Sequence, residues 1–187
     1  FSTTAVNAYV GPVVSRYLER LAGRLEAEGY GGTLFVILSH GGVAPVEEAA
    51  RLAVGTALSG PAGGVAAAVA LARQGLGEDL VTFDMGGTST DIALVTGGEA
   101  ALGRGRVIAG ERIALESLDI VTLGAGGGSI AHLGAGGTLQ VGPRSAGAVP
   151  GPACYGAGGT EPAVTDANLV LGYLDPANFL GGRRRLD

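Results

Sequence analysis

Glycine falls in clusters that cut almost every apolar run of this chain into short pieces, and that spacing restricts the possible folds more than any other feature. The chain carries 36 glycines in 187 residues, where an average usage of about 7% would give roughly a third as many. They follow no collagen-like period, so they read as turns and close backbone approaches between short elements. A hydrophobic content of 47% with a mean hydropathy of +0.37 argues for a packed interior and against disorder. No apolar stretch reaches the roughly 20 residues a membrane span needs, and no basic-then-apolar leader opens the chain, so no membrane partner is expected. A net charge of -5 disfavours nucleic acid as a partner. The basic exceptions, Arg104 with Arg106 and Arg183 to Arg185, lack aromatic neighbours and read as solvated surface. Cys154 is the only cysteine, which excludes an internal disulfide and fits a reducing, cytoplasmic setting. With no histidine near it in sequence, it reads as packing in a Gly/Pro loop. His40 and His132 read as polar loop residues.

Residues 4–28 place Val6, Val10, Val13, Tyr17, Leu21 and Leu25 at helical spacing, with Arg16, Glu19, Arg20 and Arg24 between them. An amphipathic helix follows, with a kink or break expected at Pro12. Thr33 to Leu38 reads as a strand buried on both faces, and a short helix is expected around Val46 to Val54. Ser59 and Pro61 suit the start of an alanine-rich helix in which Gly63 and Gly64 admit two readings. They either line an anion-binding helix N-terminus or permit close packing on a sheet. Further on, strands are expected within Ile113 to Leu123 and at Thr138 to Val141, a long Gly/Pro loop over residues 142–163, and a helix from Thr165 to Leu174. Alternating helices and strands give an α/β class with a mixed sheet flanked by helices.

The chemistry concentrates in Asp84-Met85-Gly86-Gly87-Thr88-Ser89-Thr90-Asp91. Strand-like runs on either side make this segment the tip of a hairpin with a buried apolar lead. Glycines let backbone amides approach phosphate oxygens, and Thr88, Ser89 and Thr90 add hydroxyl donors. Asp84 and Asp91 would repel a bare phosphate, so a divalent cation between carboxylate and phosphate explains their presence best. The alternative is an ordinary Gly-Gly turn with two solvated aspartates.

Four segments in order resemble the hydantoinase A/5-oxoprolinase family across nearly the whole chain. They are Ser59 to Val65, Phe83 to Asp91, Gly124 to Ile130, and Gly151 to Gly156 running on through Thr165 to Asn168. The resemblance implies an actin-like, Hsp70-like and sugar-kinase-like ATPase lobe, spanning residues 1–187 as a single partial domain. It also implies ATP with Mg²⁺ or Mn²⁺ as cofactors, a cyclic amide of the hydantoin or 5-oxoproline type as substrate, and phosphorylation of the substrate carbonyl oxygen. On that basis Asp84 is the metal residue, and Asp84 with Asp91 are the catalytic pair. Gly86, Gly87, Thr88, Ser89, Thr90, Gly63 and Gly64 are the nucleotide side. Gly126, Gly127, Gly128, Ser129, Asp119 and Asp166 lie toward substrate or a second metal, or serve as turns and a helix cap.

The family pattern places a further phosphate loop before this region and an adenosine-contacting segment after it, so the piece alone is expected to be inactive and to come from a longer polypeptide. Its partners would be the remaining lobe and a hydantoinase B-type subunit or domain, with a homodimer of the piece as a further possibility. Val121 stands where a histidine is usual and His40 where an asparagine is common, which leaves the substrate class open. Acetone or acetophenone carboxylase subunits are the related alternative, and a non-catalytic nucleotide-dependent assembly module is the alternative of a different class.

Overall fold

The computed structural model describes residues 1–108 and 110–187. The chain forms two compact units, residues 1–82 with 93–120, and residues 83–92 with 121–187. No helix among the described residues is long and apolar enough to cross a membrane.

The first unit opens with helix α1 (Ser2–Ala27), which runs through Pro12 without interruption. Proline there removes one backbone donor, and the segment before it is tied to later parts of the chain. Asn7 Nδ2 donates to Arg51 O at 3.1 Å, Val54 N donates to Asn7 Oδ1 at 3.0 Å, and Ala114 N donates to Thr3 Oγ1 at 2.8 Å. The inward face is also rotated from the expected stripe. Leu18 is buried, whereas Val13 and Tyr17 are each 62% exposed.

Strand β1 (Phe35–Ile37) pairs antiparallel with β2 (Val43–Pro45) as a two-stranded sheet. Phe35 and Ile37 are exposed, which corrects the expectation of a strand buried on both faces: the face that carries them is left partly open to solvent. Helix α2 (Val46–Arg51) begins with Glu47 and Glu48, carboxylates that suit its positive end, and a 3-10 turn over Ala53–Thr56 continues it. Helix α3 (Ser59–Leu71) starts at Ser59, the residue expected as its cap, so that Leu58, in a left-handed conformation, takes the cap position; the helix ends in a π turn over Ala72–Leu76.

Strands β3 (Leu80–Met85), β4 (Thr90–Thr96) and β5 (Glu99–Ala100) are neighbours in that order, and β8 (Ile120–Leu123) pairs with β4. Strands β3 and β4 each contribute residues to both units. The apolar lead of β3 is exposed at Val81 and Phe83, not buried: both lie on one face of the strand, and that face is left uncovered. Strands β6 (Leu102–Ile108) and β7 (Glu111–Leu118) form an antiparallel ribbon. Arg104 lies at the surface, paired with Glu116 at 2.8 Å, whereas Arg106 is not simply solvated: it donates to the carbonyls of Leu118 and Ile120. A guanidinium carries enough donors to close strand-end carbonyls in this way. Ala62 and Val65 of α3 pack with Ala93, Leu118 and Ile120 as the core of this unit.

In the second unit, β9 (Ser129–Leu133) pairs antiparallel with β10 (Leu139–Ser145), and helix α4 (Val164–Val170) follows a loop containing a 3-10 turn at Ala153–Tyr155. His132 thus lies on a strand rather than in a loop. Arg184 is docked rather than solvated: its guanidinium lies 5.2 Å from the Tyr155 ring centre and donates to Tyr155 O. Tyr155 also meets Phe179 at 5.2 Å.

Candidate functional site

The turn between β3 and β4 presents Asp84, Gly86, Gly87 and Thr88 to solvent, while Ser89 and Asp91 are half-buried and Thr90 is buried. The Gly86 amide closes the turn on Ser89 O at 2.8 Å. Among the described residues, no backbone carbonyl takes the Gly87 or Thr88 amide. These two amides and the Thr88 hydroxyl are therefore available to an anion, and an added Cβ at Gly87 would meet nothing within 4 Å.

The two aspartates of the loop differ in surroundings. Asp91 accepts a hydrogen bond from Thr122 Oγ1 at 2.6 Å, which ties the end of the loop to β8. Asp84 stays exposed. Among the described residues, no group of three or more His, Cys, Asp or Glu side chains could hold a metal ion by itself. A cation arriving with a nucleotide does not need such a group, since Mg²⁺ takes most of its ligands from phosphate and water and one or two carboxylates suffice. Asp84 with the neighbouring Thr88 hydroxyl fits that donor set.

The structure brings the Gly124 to Ser129 segment directly against this loop. Gly127 N donates to Gly86 O at 2.9 Å, Gly128 N donates to Gly87 O at 2.7 Å, and Thr90 Oγ1 donates to Ala125 O at 2.6 Å. Ser129, fully buried, accepts the Gly126 amide at 2.8 Å. Glycine is required here by proximity: a Cβ on Gly126 would stand 2.6 Å from Gly86 O, and one on Gly128 would stand 2.9 Å from Gly87 O.

Asp166 anchors the start of α4. Its carboxylate accepts the amides of Cys154 at 2.8 Å, Ala163 at 2.7 Å and Ala153 at 3.3 Å. Burial pushes this carboxyl up, but hydrogen bonds from the Cys154 thiol and from these amides outweigh it and hold the pKa below the usual value. The same burial and the neighbouring carboxylate push the Cys154 thiol up to about 12, so it stays protonated and inert, as its reading as a packing residue requires. Thr165 donates both its amide, at 2.8 Å, and its hydroxyl, at 2.7 Å, to Gly127 O.

A cavity of about 430 Å³ opens beside this cluster, lined by Ile130, Ser145, Thr160 and the Arg144–Glu161 ion pair.

The remaining candidates, Val121 apart, lie in the first unit. Gly63 and Gly64 are interior residues of α3, and a Cβ on Gly63 would stand 2.9 Å from Ile37 Cδ1, which favours the packing reading for that glycine. Asp119 and Val121 are exposed, Asp119 giving its amide to Ala101 O at 2.8 Å. His40 accepts the Gly42 amide on Nδ1 and so closes a local turn. Thr122 and Thr165 were invisible as site residues in the sequence. Each acts on a partner more than 30 positions away, and a lone threonine carries no local signal of that.

Known proteins resemble this chain in sequence and in fold. The chain is 48% identical over 186 residues to the caprolactamase subunit alpha of Pseudomonas jessenii, covering 100% of this chain and 27% of that one. The crystal structure of ATP-dependent caprolactamase from that organism superposes with a TM-score of 0.76 at 47% identity, covering 100% of this chain and 27% of that one. A nucleotide-free acetone carboxylase structure gives a TM-score of 0.75 at 33% identity over 91% of this chain and 24% of that one. 5-Oxoprolinase 1 of Arabidopsis thaliana is 42% identical over 181 residues, 95% of this chain and 14% of that protein. The chain thus spans about a quarter, or less, of the length of these relatives, and its architecture is the actin-like ATPase type that the solved neighbours have. With the hydantoinase/oxoprolinase pattern matched over residues 1–187, the chain belongs to the hydantoinase/oxoprolinase family.

Proposed function

We propose that this chain is the phosphate-loop part of an ATP-dependent enzyme that opens a cyclic amide. The observation that carries the reading is the exposed Asp84 to Thr88 turn, with two uncommitted amides and one exposed carboxylate, within a full-length family match. Gly87 and Thr88 receive phosphate oxygens through their amides, and the Thr88 hydroxyl adds a further donor. Asp84 would hold Mg²⁺, or Mn²⁺, and the ion would supply neutralisation of phosphate charge. Gly86, Ser89, Thr90 and Asp91 keep the shape of the turn. Gly63 and Gly64 of α3 and Asp119 are further candidates for nucleotide and substrate contact, argued from the family resemblance.

An unstrained amide carbon resists water. Transfer of the γ-phosphoryl group to the amide oxygen, with ADP leaving, makes that carbon far more electrophilic. The protein contributes positioning and charge neutralisation. The remaining lobe and a companion subunit, as the names of subunit-type relatives suggest, would complete the site in a cytoplasmic enzyme.

A second reading, a carboxylase subunit that activates a ketone by the same phosphoryl step, is favoured by the almost equal TM-scores, 0.75 against 0.76. We put the cyclic amide first on the support of the higher identity to the caprolactamase subunit, 48%. The test is ADP release by the whole protein with its companion subunit, in the presence of 5-oxoproline, hydantoin or caprolactam, and separately of acetone with bicarbonate. Stimulation by a cyclic amide supports the first reading, stimulation only by the ketone the second, and stimulation by none contradicts both.

A further inference from the structure

The two backbone amides that residues 124–129 send to the phosphate turn both land on carbonyl oxygens, and a peptide group is planar and trans, so its C=O and N–H point in opposite directions. Pinning a carbonyl therefore aims the next residue's amide. Gly127 N holds Gly86 O at 2.9 Å, which sets the plane that carries the Gly87 amide. Gly128 N holds Gly87 O at 2.7 Å, which sets the plane that carries the Thr88 amide. These are the two amides that no described backbone carbonyl takes. The same logic runs one step further back: Gly127 O, held by the Thr165 amide and hydroxyl at 2.8 and 2.7 Å, shares its plane with the Gly128 amide.

We propose that residues 124–129 act as a backbone clamp that aims the Gly87 and Thr88 amides at a phosphate group, with Thr165 as the positioning residue that orients the clamp. The relay runs from Thr165 to Gly127 O, through the Gly128 amide to Gly87 O, and through the next plane to the Thr88 amide. Gly126, Gly127 and Gly128 then serve the nucleotide side through their backbones instead of contacting substrate. A Cβ on Gly127 would stand 2.9 Å from Thr165 Oγ1, so even this contact needs glycine. Asp166 fixes the first turn of α4 by capping Ala163 and tying it to Cys154, which keeps Thr165 in place. The identity of the anion as nucleotide phosphate rests on the reading under Proposed function; the clamp itself does not.

The experiment compares Thr165→Val, which removes the hydroxyl at constant shape, with Thr165→Ser, which keeps it, in the whole protein. Two quantities are read: the Kd of Mg²⁺-ADP, and hydrogen exchange of the amides at 126–128. The clamp predicts that Thr165→Val weakens Mg²⁺-ADP by about tenfold, the effect of a lost buried hydrogen bond, and speeds exchange at 126–128. Thr165→Ser restores both to within about twofold. Unchanged exchange in Thr165→Val overturns the clamp, and faster exchange with an unchanged Kd overturns its role in aiming the amides. If the wild type itself binds no Mg²⁺-ADP, the ATP-dependent reading falls, while the exchange comparison still decides whether the clamp exists.

Discussion

Asp84 and Thr90 sit six residues apart on the two strands that flank the turn and should respond oppositely to substitution. Thr90 is 2% exposed and its hydroxyl is the donor to Ala125 O. Thr90→Val leaves that carbonyl without its partner and should cost about 1–3 kcal/mol, read as a lowered denaturant midpoint. Asp84 is exposed, so Asp84→Ala should change stability by no more than about 0.5 kcal/mol while abolishing Mg²⁺-dependent nucleotide binding. The pair at α4 makes a pH prediction. With its native pKa depressed, Asp166 adds stability that is fully present above the ordinary carboxylate value near 3.9 and is lost as pH falls through the native pKa, because the unfolded state takes the proton first. Cys154 works at the other end: the unfolded thiol ionises near 8.5, the native one only at about 12, so stability falls as pH rises between them. Asp166→Asn should remove the acid limb of the profile, and Cys154 should resist alkylation at neutral pH until the chain unfolds. At this scale the sequence showed Asp84 and its hydroxyl neighbours clearly, because their meaning is local. The bonds of Ser129 to the Gly126 amide and of Asp166 to the Ala163 amide are local and fit the reading as a turn and a helix cap, whereas Thr165 acts on Gly127 O and Asp166 also on the Cys154 amide, partners that no local spacing reveals.

Glycines separate into structural and functional sets at the level of elements. Gly126 faces backbone atoms at 2.6–2.7 Å, so Gly126→Ala must move one loop away from the other and should destabilise the second unit, visible as a lowered melting temperature. Gly87 has open space around it, so Gly87→Ala should fold normally and weaken nucleotide binding, because the new methyl group occupies room a phosphate would use. The hairpin of β3 and β4 was legible from its alternation, and α1 from its spacing. Strand β6 was not, because Gly103, Arg104, Gly105 and Arg106 interrupt the apolar pattern. Gly105 adopts a left-handed φ of +73° where the register with β7 shifts between Arg104 and Arg106. Strand β1 was recognised as a strand but not as an exposed one, since apolar composition says nothing about what covers a face.

At the scale of the whole molecule, the exposed apolar side chains form the most conspicuous departure from an ordinary isolated domain. Phe35, Val81, Phe83, Leu94 and Val121 are each more than half exposed, in a chain that spans about a quarter of its caprolactamase relative. The isolated 187-residue chain should therefore self-associate with rising concentration, as sedimentation would show, whereas the whole protein should not do so through these residues. The α/β class and the family were readable from motif order, because four glycine-rich segments at fixed order constrain one another more than any single one does. The division into two units was not readable, since β3 and β4 run through the boundary without any linker-like composition.

The most direct test of the central claim is calorimetric titration of ADP and ATP into the whole protein, with and without Mg²⁺, for the wild type and Asp84→Ala. The account predicts binding that needs Mg²⁺ and disappears in Asp84→Ala, with the folded state of the variant unchanged by circular dichroism. Binding that survives in Asp84→Ala, or no binding by a folded wild type, would contradict the assignment of the Asp84 to Thr88 turn as a metal-nucleotide phosphate loop.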